Sequence, residues 1–315
     1  MSVVITASGG LATPRPDLAD AYREYNPAGV KLAYPEIFPA AQVPLQYGEM
    51  EVETVDSYLA EDDLDRNPGG SYNRIDIELS KKQYAIREKG LEIPFNYGDG
   101  RVLTYDWEQG AARRLRMKHD LYYEGVASGI VFASTATTTS ATAAWTASGG
   151  KPLTDLQTGI EAFYARTGML PNALIMGRKA AAALPLNAEV TGRFPGATML
   201  GQQAVLESIA TLVGIDKVII GTAVKNSGTK GNAKSLGAVF PVTHVALALV
   251  ANEGDPVETA CLGRALVWSE DGANDVIIEN YYVEATRTEV YRGRNQKLIN
   301  TWDTTLVQRV ATGLT

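Results

Sequence analysis

The stretch TGMLPNALIMGRKAAAAL (residues 167–184) joins a turn, a short apolar run and an alanine-rich run. The turn residues GMLPN lead into ALIMG (173–177), an apolar run with the length of one buried strand. RKAAAAL (178–184) consists mostly of good helix formers and ends before Pro185, where a helix is expected to stop. The stretch therefore predicts a turn–strand–helix unit of an α/β region.

The same alternation continues on both sides of this stretch. Amphipathic helices are predicted at 153–167 and at 201–214, the second ending at Gly214. Strands are predicted at KVIIG (217–221) and HVALALV (244–250). The second strand is continuously apolar, so we expect it to lie in the centre of a sheet.

Upstream lies the strongest amphipathic pattern of the chain, at residues 103–132. The apolar residues that fall near one stripe are Trp107, Ala111, Leu115, Leu121, Tyr122, Val126 and Ile130. The polar side carries Arg113, Arg114, Arg116 and Lys118. At about 1.5 Å per residue such a helix would extend about 45 Å, which is unusually long for an ordinary globular domain.

The remaining segments outside the N-terminal part are richer in β-structure. Residues 134–150 are rich in Ser, Thr and Ala and are predicted to form a loop or weak hairpin. CLGRALVW (261–268) predicts a strand. DVIIENYYVEATRTEVYR (275–292) reads as a strand too long for the usual range, so we expect it to bend or span two layers.

The first 96 residues show little that could form a core alone. Residues 1–45 contain six prolines, one predicted helix (17–27) and otherwise extended chain, so they are expected to order on another surface. Residues 46–96 alternate apolar and charged residues in MEVETV (50–55) and again from Arg74 onward. They predict a charged two-stranded arm, which would be only marginally stable in isolation.

The two halves of this charged arm carry opposite charge. Residues 51–65 contain seven acids and no base, whereas residues 66–89 are rich in Lys and Arg. This charge distribution favours pairing between facing strands and docking onto a second copy of the protein. The candidate inter-subunit contacts are Arg74, Ile75, Ile77, Leu79, Lys81, Lys82, Arg87, Asp62, Asp63 and Asp65.

Composition excludes several classes of protein. The net charge is −7 and the pI is about 5.1, which argues against a dedicated nucleic-acid-binding surface but leaves room for local basic patches. The single cysteine, Cys261, lies in an apolar run and is expected to be a small buried hydrophobe in a reducing compartment. The N-terminus does not resemble a signal peptide, and no apolar run is long enough to span a membrane.

Residues for catalysis or metal binding are scarce. His119 and His244 are the only histidines, and neither has a nearby ligand or nucleophile, so structural roles are expected for both. Zinc-protease, paired-cysteine and nucleophile-elbow motifs are absent. No catalytic residue, metal site or cofactor is therefore predicted.

Two near-motifs fail on the residues that their chemistry requires. GTKGNAKS (228–235) resembles a phosphate-binding loop, but Ala233 replaces its second glycine and a strand, not a helix, is expected next. DLDRN (63–67) resembles the start of a calcium loop. Pro68 replaces the turn glycine of that loop and Arg74 replaces its bidentate glutamate. Both stretches are interpreted as solvated surface.

Three stretches resemble the major capsid proteins of tailed bacteriophages. Residues 167–184 resemble the small–Pro–Asn–strand–helix segment of that family, and LESIATLVGIDKVIIGTAVKN (206–226) resembles its helix–Gly–apolar–Asp–x–Val segment. VIIENYYVEATRTEVYRGRN (276–295) resembles its long strand near the chain end. These motifs are loose and structural, and together they extend across most of the chain. They imply an α+β fold with an N-terminal arm, an extended β-hairpin loop, a peripheral domain and an α/β axial domain.

The resemblance also implies boundaries for these parts. Residues 1–45 would be the N-terminal arm, and residues 46–96 would be the extended loop that reaches over a neighbouring subunit. The peripheral domain would comprise 97–150 and 263–300, with residues 103–132 as its spine helix. The axial domain would comprise 151–262 and 301–315.

The implied function is structural. The chain would assemble into the pentamers and hexamers of an icosahedral virion capsid, be synthesised in the host cytoplasm, and enclose double-stranded DNA without sequence-specific binding. A portal, a decoration protein and a scaffolding protein are the other expected partners; Met1 favours a separate scaffolding protein over a cleaved segment. Lys81 and Lys82 lie in the extended loop, but no crosslink to an asparagine is predicted. The alternatives are an encapsulin-type nanocompartment and an α/β nucleotide-binding enzyme.

Overall fold

The computed structural model describes residues 12–26, 29–59, 61, 64–66, 69–74, 79–96, 106–194, 201–228, 233–269 and 276–315. Within them, the α-helices are α1 (Pro16–Glu24), α2 (Tyr34–Ile37), α3 (Val55–Leu59), α4 (Trp107–Val131), α5 (Pro152–Thr167), α6 (Arg178–Ala183), α7 (Ala188–Arg193) and α8 (Gln202–Val213). Short 3-10 helices lie at Leu184–Leu186 and Thr304–Leu306.

The strands form several small sheets and are numbered in chain order. They are β1 (Thr13–Pro14), β2 (Ala40–Gln42), β3 (Tyr47–Glu53), β4 (Leu79–Ala85), β5 (Lys89–Asn96), β6 (Thr137–Thr139), β7 (Ala173–Gly177), β8 (Lys217–Gly221), β9 (Val224–Asn226), β10 (Leu236–Ala238), β11 (His244–Ala248), β12 (Gly263–Val267), β13 (Val276–Val283), β14 (Thr288–Asn295), β15 (Lys297–Thr301) and β16 (Val307–Ala311).

A five-stranded sheet in the order β6-β16-β11-β7-β8 organises the α/β region. β7 and β8 are parallel, whereas β11 is antiparallel to both β7 and β16. All five residues of β7 are buried, as an apolar run covered on both faces should be. The predicted strands at 173–177, 217–221 and 244–250 are therefore confirmed, and the last is central in the sheet.

Helices α5, α6 and α8 pack on this sheet through one apolar cluster. Leu156 of α5, Leu206 of α8 and Leu247 of β11 all belong to this cluster and are almost fully buried. Gly159 allows the close approach of α5, because an added Cβ would lie 2.5 Å from Cγ2 of Val310. The amphipathic helices predicted around residues 153–167 and 201–214 are confirmed.

A four-stranded sheet in the order β1-β13-β14-β5 supports the long helix α4. The predicted single strand at 275–292 is wrong, because the chain reverses at residues 284–287 and β13 pairs with β14 as a hairpin. Arg287 has a φ of 49°, a left-handed conformation that glycine or asparagine usually supplies. The turn was missed because none of its four residues is of a typical turn-forming type.

Helix α4 is long, as predicted, but its buried face differs from the predicted stripe. It has 25 residues, begins after the N-cap Asp106, and would extend about 37 Å at 1.5 Å per residue. Ala111 and Leu115 are buried as expected, but Tyr122 is 51% exposed, whereas Tyr123 and Ala127 are buried. Polar residues share the buried face because they have hydrogen-bond partners there, and periodicity of apolar residues does not reveal such partners.

The segment 12–45 is folded onto its own chain, which corrects the expectation that it needs another surface. It forms two helices rather than one: α1 packs on α4 through Leu18 and Tyr22, and α2 buries Tyr34 and Ile37 in the main core. β2 joins a three-stranded sheet, in which it runs parallel to β12. The prolines indicated breaks between these pieces but did not indicate what the pieces pack against.

The segment between α4 and α5 is mostly irregular, as predicted. β6 pairs with the C-terminal strand β16, and Trp145 is fully buried. The buried carboxylate of Asp155 accepts hydrogen bonds from the Trp145 indole at 3.0 Å and from the Thr142 hydroxyl at 2.6 Å. Among the described residues, no helix combines the length and the apolar composition needed to cross a bilayer.

Replacing Gly125 or Gly129 by alanine is expected to raise the free energy of unfolding by about 1 kcal/mol at each position. Both glycines lie in the interior of α4 on its exposed side, and an added Cβ would meet nothing within 4 Å. Alanine loses less backbone entropy in a helix than glycine does. Urea unfolding of the two single variants measures the gain; a lower stability at either position would contradict this account of the helix.

Candidate inter-subunit surface

The charged arm contains a regular two-stranded hairpin, formed by β3 and β4. Tyr47 pairs with Ala85 and Glu53 pairs with Leu79 at its two ends. The described pairing begins at residue 79 in the second strand, and residues 75–78 of the predicted alternation lie outside the described residues. The hairpin ends at Ala85, and β5 (89–96) pairs instead with β14 in the four-stranded sheet.

One face of the hairpin rests on the rest of the subunit. Val52 is buried with Ala251, Cys261 and Trp302, and Tyr84 is buried in a neighbouring apolar cluster. The Glu53 amide donates a hydrogen bond to the Glu258 carbonyl oxygen at 2.9 Å. The base of the hairpin is therefore held by apolar contacts and by the backbone.

The other face of the hairpin is exposed and carries complementary charge. Lys81 lies opposite Glu51, with 4.0 Å between the Lys81 Nζ and the nearest carboxylate oxygen. The neighbouring pair is Gln83 and Glu49, whose side chains are hydrogen-bonded at 3.0 Å. The predicted pairing of opposite charges on facing strands is confirmed for Lys81. Such an exposed ion pair contributes at most about 1 kcal/mol, so both groups remain available to other partners.

The other sequence-predicted contact residues occupy different positions. Asp62, Asp63, Ile75 and Ile77 lie outside the described residues. Arg74, Asp65 and Arg87 are exposed, and Leu79 is 41% exposed at the outer end of β4. Lys82 points to the body side, where it lines a cavity of about 170 Å³ together with Cys261 and Trp302. The structure brings Leu79 and Lys81 onto one exposed face; their contact with another subunit stays a prediction.

Exposed apolar side chains are concentrated in and beside this hairpin. Of the fifteen large hydrophobic residues that are exposed among the described residues, six lie between residues 45 and 79: Leu45, Tyr47, Leu59, Leu64, Tyr72 and Leu79. Leu64 is 88% exposed and Tyr72 is 75% exposed. A surface with this much uncovered apolar area is typical of a segment that is buried by a partner.

A buried polar network, which the sequence analysis missed, ties the N-terminal segment to α4. Glu124 is completely buried and accepts hydrogen bonds from the Ala33 and Tyr34 amides at 2.9–3.1 Å. Asp120 accepts from the Tyr34 hydroxyl at 3.1 Å and from Nε of Arg116 at 2.7 Å. Burial raises the pKa of Glu124, and the two amide donors lower it. The only sequence signal was the position of these acids among apolar residues of one helix.

His119 belongs to the same network and has the structural role that the sequence predicted. Its Nδ1 lies 2.8 Å from the Tyr22 hydroxyl, and its ring is 5% exposed. Burial lowers the pKa of His119 to about 4, with the nearby cations Lys297 and Arg116 acting in the same direction and Asp120 opposing them. The imidazole is therefore neutral near neutral pH.

Acid is expected to destabilise the subunit through His119. An unfolded histidine has a pKa near 6.5, so its contribution to stability is complete above that pH and is lost as the pH falls towards 4. The loss is up to about 3 kcal/mol. Glu124, whose pKa is raised, works in the opposite direction and stabilises the fold as it takes up a proton. Comparing wild type with His119→Gln by urea unfolding between pH 7 and pH 4 isolates the histidine; equal pH slopes would contradict it.

The remaining candidate residues and stretches are described only where the structure covers them. Burial raises the pKa of the Cys261 thiol to about 11, so this cysteine is an unreactive core residue, as predicted. Residues 229–232 of the phosphate-loop-like stretch lie outside the described residues, and strand β10 follows it where such a loop requires a helix. In the part of the chain that the structure describes, no three His, Cys, Asp or Glu residues are grouped to hold a metal ion.

No family model and no curated protein matches the sequence. The fold is similar to a phage-related protein from Bordetella bronchiseptica, with 19% identity, a TM-score of 0.69, and 96% of this chain and 98% of that chain covered. It is also similar to the capsid of the cyanophage P-SCSP1u, with 10% identity, a TM-score of 0.57, and 91% of this chain and 92% of that chain covered. A third similar structure is a virus-like particle from Pyrococcus furiosus, with 11% identity, a TM-score of 0.55, and 94% of this chain and 97% of that chain covered. The chain thus has the α+β fold of phage capsid proteins.

Proposed function

We propose that this chain is the major capsid protein of a tailed bacteriophage, a structural protein that assembles into an icosahedral shell around double-stranded DNA. The observation that carries the proposal is the exposed apolar and charged surface formed by the described residues between 45 and 79. The fold of the chain is similar to phage capsid proteins over nearly its whole length. A shell requires repeated contacts between copies, and an extended segment that is uncovered in one subunit supplies such a contact.

Each part of the chain has a place in this proposal. Residues 1–45 are the N-terminal arm and residues 46–96 the extended loop. Helix α4 and strands β13 and β14 lie in the proposed peripheral domain (97–150 and 263–300). Strands β7, β8, β11 and β16 of the five-stranded sheet lie in the proposed axial domain (151–262 and 301–315). α4 is the spine helix. The exposed face of the hairpin, with Leu79 and Lys81, docks on a neighbouring subunit, as do Arg74, Ile75, Ile77, Arg87, Asp62, Asp63 and Asp65. Lys82, proposed from the sequence as a further contact, lines the cavity on the body side of the hairpin instead.

The proposed partners follow from the same role. Copies of the chain form pentamers and hexamers in the virion, after synthesis in the host cytoplasm. A separate scaffolding protein, a portal and a decoration protein are the further candidates. The role is not enzymatic, in keeping with the buried Cys261 and with the structural role of His119.

Sedimentation velocity of the expressed protein tests the proposed assembly. We expect particles that sediment far ahead of the 33.8-kDa subunit. Co-expression of a scaffolding protein, or its omission, should change the size or yield of these particles. A single species of monomer size in all conditions would contradict the proposal.

An encapsulin-type nanocompartment is the second candidate, because the fold is also similar to the virus-like particle from Pyrococcus furiosus. The two candidates differ in their contents. Shells that recruit a cargo enzyme through a short peptide, and that never hold DNA in infected or induced cells, would favour the nanocompartment. Shells that are filled with DNA would favour the capsid.

A further inference from the structure

One side of α4 carries an exposed stripe, in which the Arg114 guanidinium lies 5.4 Å from the centroid of the Trp107 ring and Lys89 Nζ lies 5.5 Å from that of Tyr122. The stripe consists of Arg114, Lys118, Tyr122, Gly125 and Gly129, spaced by four, four, three and four residues, so all five fall on one side of the helix. Tyr122 is 51% exposed, and the other four residues are exposed as well. From Arg114 to Gly129 the stripe is about 22 Å long at 1.5 Å per residue.

The two cations of the stripe differ from two nearby arginines, Arg116 and Arg15. Arg116 forms an ion pair with Asp120 at 2.7 Å, and Arg15 forms one with Glu108 at 2.7 Å. Within the described residues, neither Arg114 nor Lys118 lies within ion-pairing distance of a carboxylate. Among the described residues the two charges of the stripe therefore have no carboxylate partner, in a protein whose net charge is −7.

The two glycines make the second half of the stripe flat. Glycine in the interior of a helix lowers stability, so an exposed pair in α4 calls for a reason other than the fold. An added Cβ at Gly125 or Gly129 would meet nothing within 4 Å, which means that no part of the described chain needs this space. A partner could therefore approach the helix backbone closely.

We propose that this stripe is a non-specific contact surface for the sugar–phosphate backbone of nucleic acid, and that α4 presents it to the enclosed duplex. The inference rests on the proposed function and deepens it by naming the residues that meet the DNA. Phosphates accept hydrogen bonds from Arg, Lys and tyrosine hydroxyl groups, and the flat glycine surface admits the backbone without a steric clash. Contacts to the sugar–phosphate backbone carry no sequence information directly, so sequence preference is not expected.

Fluorescence anisotropy with a labelled 20-base-pair duplex, measured on unassembled full-length subunits over a range of KCl concentrations, tests the stripe. Wild type should bind weakly, with affinity that falls steeply with salt. The variant Arg114→Gln with Lys118→Gln should show a salt slope shallower by about 1.8, because each lost phosphate contact removes about 0.9. The control variant Lys225→Gln with Lys234→Gln removes the same charge from an exposed hairpin and should leave the slope nearly unchanged.

Gly125→Leu provides a test without any change of charge. The substitution improves helix propensity and fills space that is open in the subunit, so the variant should fold normally. It should nevertheless weaken duplex binding several-fold at constant salt. Unchanged binding by this variant would contradict the close approach at the glycines.

Three results would overturn the inference. The first is no duplex binding by wild type at low salt, and the second is an equal decrease of the salt slope in the stripe variant and the control variant. The third is normal duplex binding by the stripe variant together with loss of self-association. The last result would assign the stripe to an acidic segment of a second copy. Failure of the inference is separate from failure of the proposed function. Stripe variants that form normal shells and bind duplex DNA as well as wild type would contradict only the inference. A wild type that never forms shells would contradict the proposed function.

Discussion

Replacing residues 61–74 by a short Gly-Ser linker is expected to leave a soluble, folded subunit that forms no shells. The replaced segment includes Leu64 and Tyr72, which are largely exposed, and Arg66, whose guanidinium lies over the Tyr72 ring. α3 and the hairpin are retained, and with them the buried Val52 and Val55 that anchor the segment. The change therefore removes contact area between copies without opening the core.

Two measurements check this prediction. Thermal unfolding should give a melting temperature close to that of wild type, and electron microscopy should show no closed particles. The double variant Leu64→Ser with Tyr72→Ser keeps the chain length and is expected to reduce the yield of shells, because only the apolar part of the contact is lost. Normal shells from the linker variant would refute the role proposed for residues 45–79.

Glu124→Ala is expected to cause the largest loss of stability of any single change proposed for this chain, about 3 kcal/mol. The carboxylate is completely buried, and its removal leaves the amides of Ala33 and Tyr34 without their acceptor. Each buried donor left unpaired costs about 1–3 kcal/mol. Relief of the cost of burying the carboxylate, visible in the raised pKa of Glu124, offsets part of this loss.

Glu124→Gln is the matched control, since it retains one side-chain oxygen that can accept from these amides. We expect it to lose about 1 kcal/mol. Urea unfolding at pH 7 gives both values, and limited proteolysis near residues 25–33 should be faster in the alanine variant because the N-terminal segment is less firmly held. Equal stabilities of the two variants would show that the hydrogen bonds of Glu124 do not hold this segment.

Local sequence signals predicted the α/β region well. The strand at 173–177 is a continuous apolar run between a turn and a helix, and its neighbours at 217–221 and 244–250 have the same character, so length and composition alone identified them. The long helix was equally clear. The strands at 173–177 and 244–248 are almost completely buried, which leaves little choice of secondary structure there.

The errors arose where distant contacts decide the structure. Arg287 reverses the chain between β13 and β14 without a glycine, and the pairing of these strands determines the turn. The N-terminal segment was expected to be extended because of its prolines, yet Glu124, distant in sequence, caps its second helix. Tyr122 belongs to the predicted apolar stripe but is exposed, whereas its neighbour Tyr123 is buried. The reason is that hydrogen bonds place Asp120 and Glu124 on the buried face of α4.

The sequence predicted a charged two-stranded hairpin, but it did not predict which side of the hairpin each residue occupies. Alternation beginning at Arg74 indicated a charged strand, and Lys81 does face Glu51. Lys82, however, lies on the side of the hairpin that rests on the body. A single sequence cannot distinguish these faces, because both carry polar residues and the apolar partners Ala251, Cys261 and Trp302 come from the far end of the chain.

Electron microscopy of the expressed full-length protein, alone and with the products of neighbouring genes, tests the central proposal most directly. We expect closed, hollow particles with icosahedral symmetry, in which the hairpin and residues 54–78 of one subunit lie over the next. Monomers or small open oligomers under every assembly condition would contradict the proposal that this chain builds a shell.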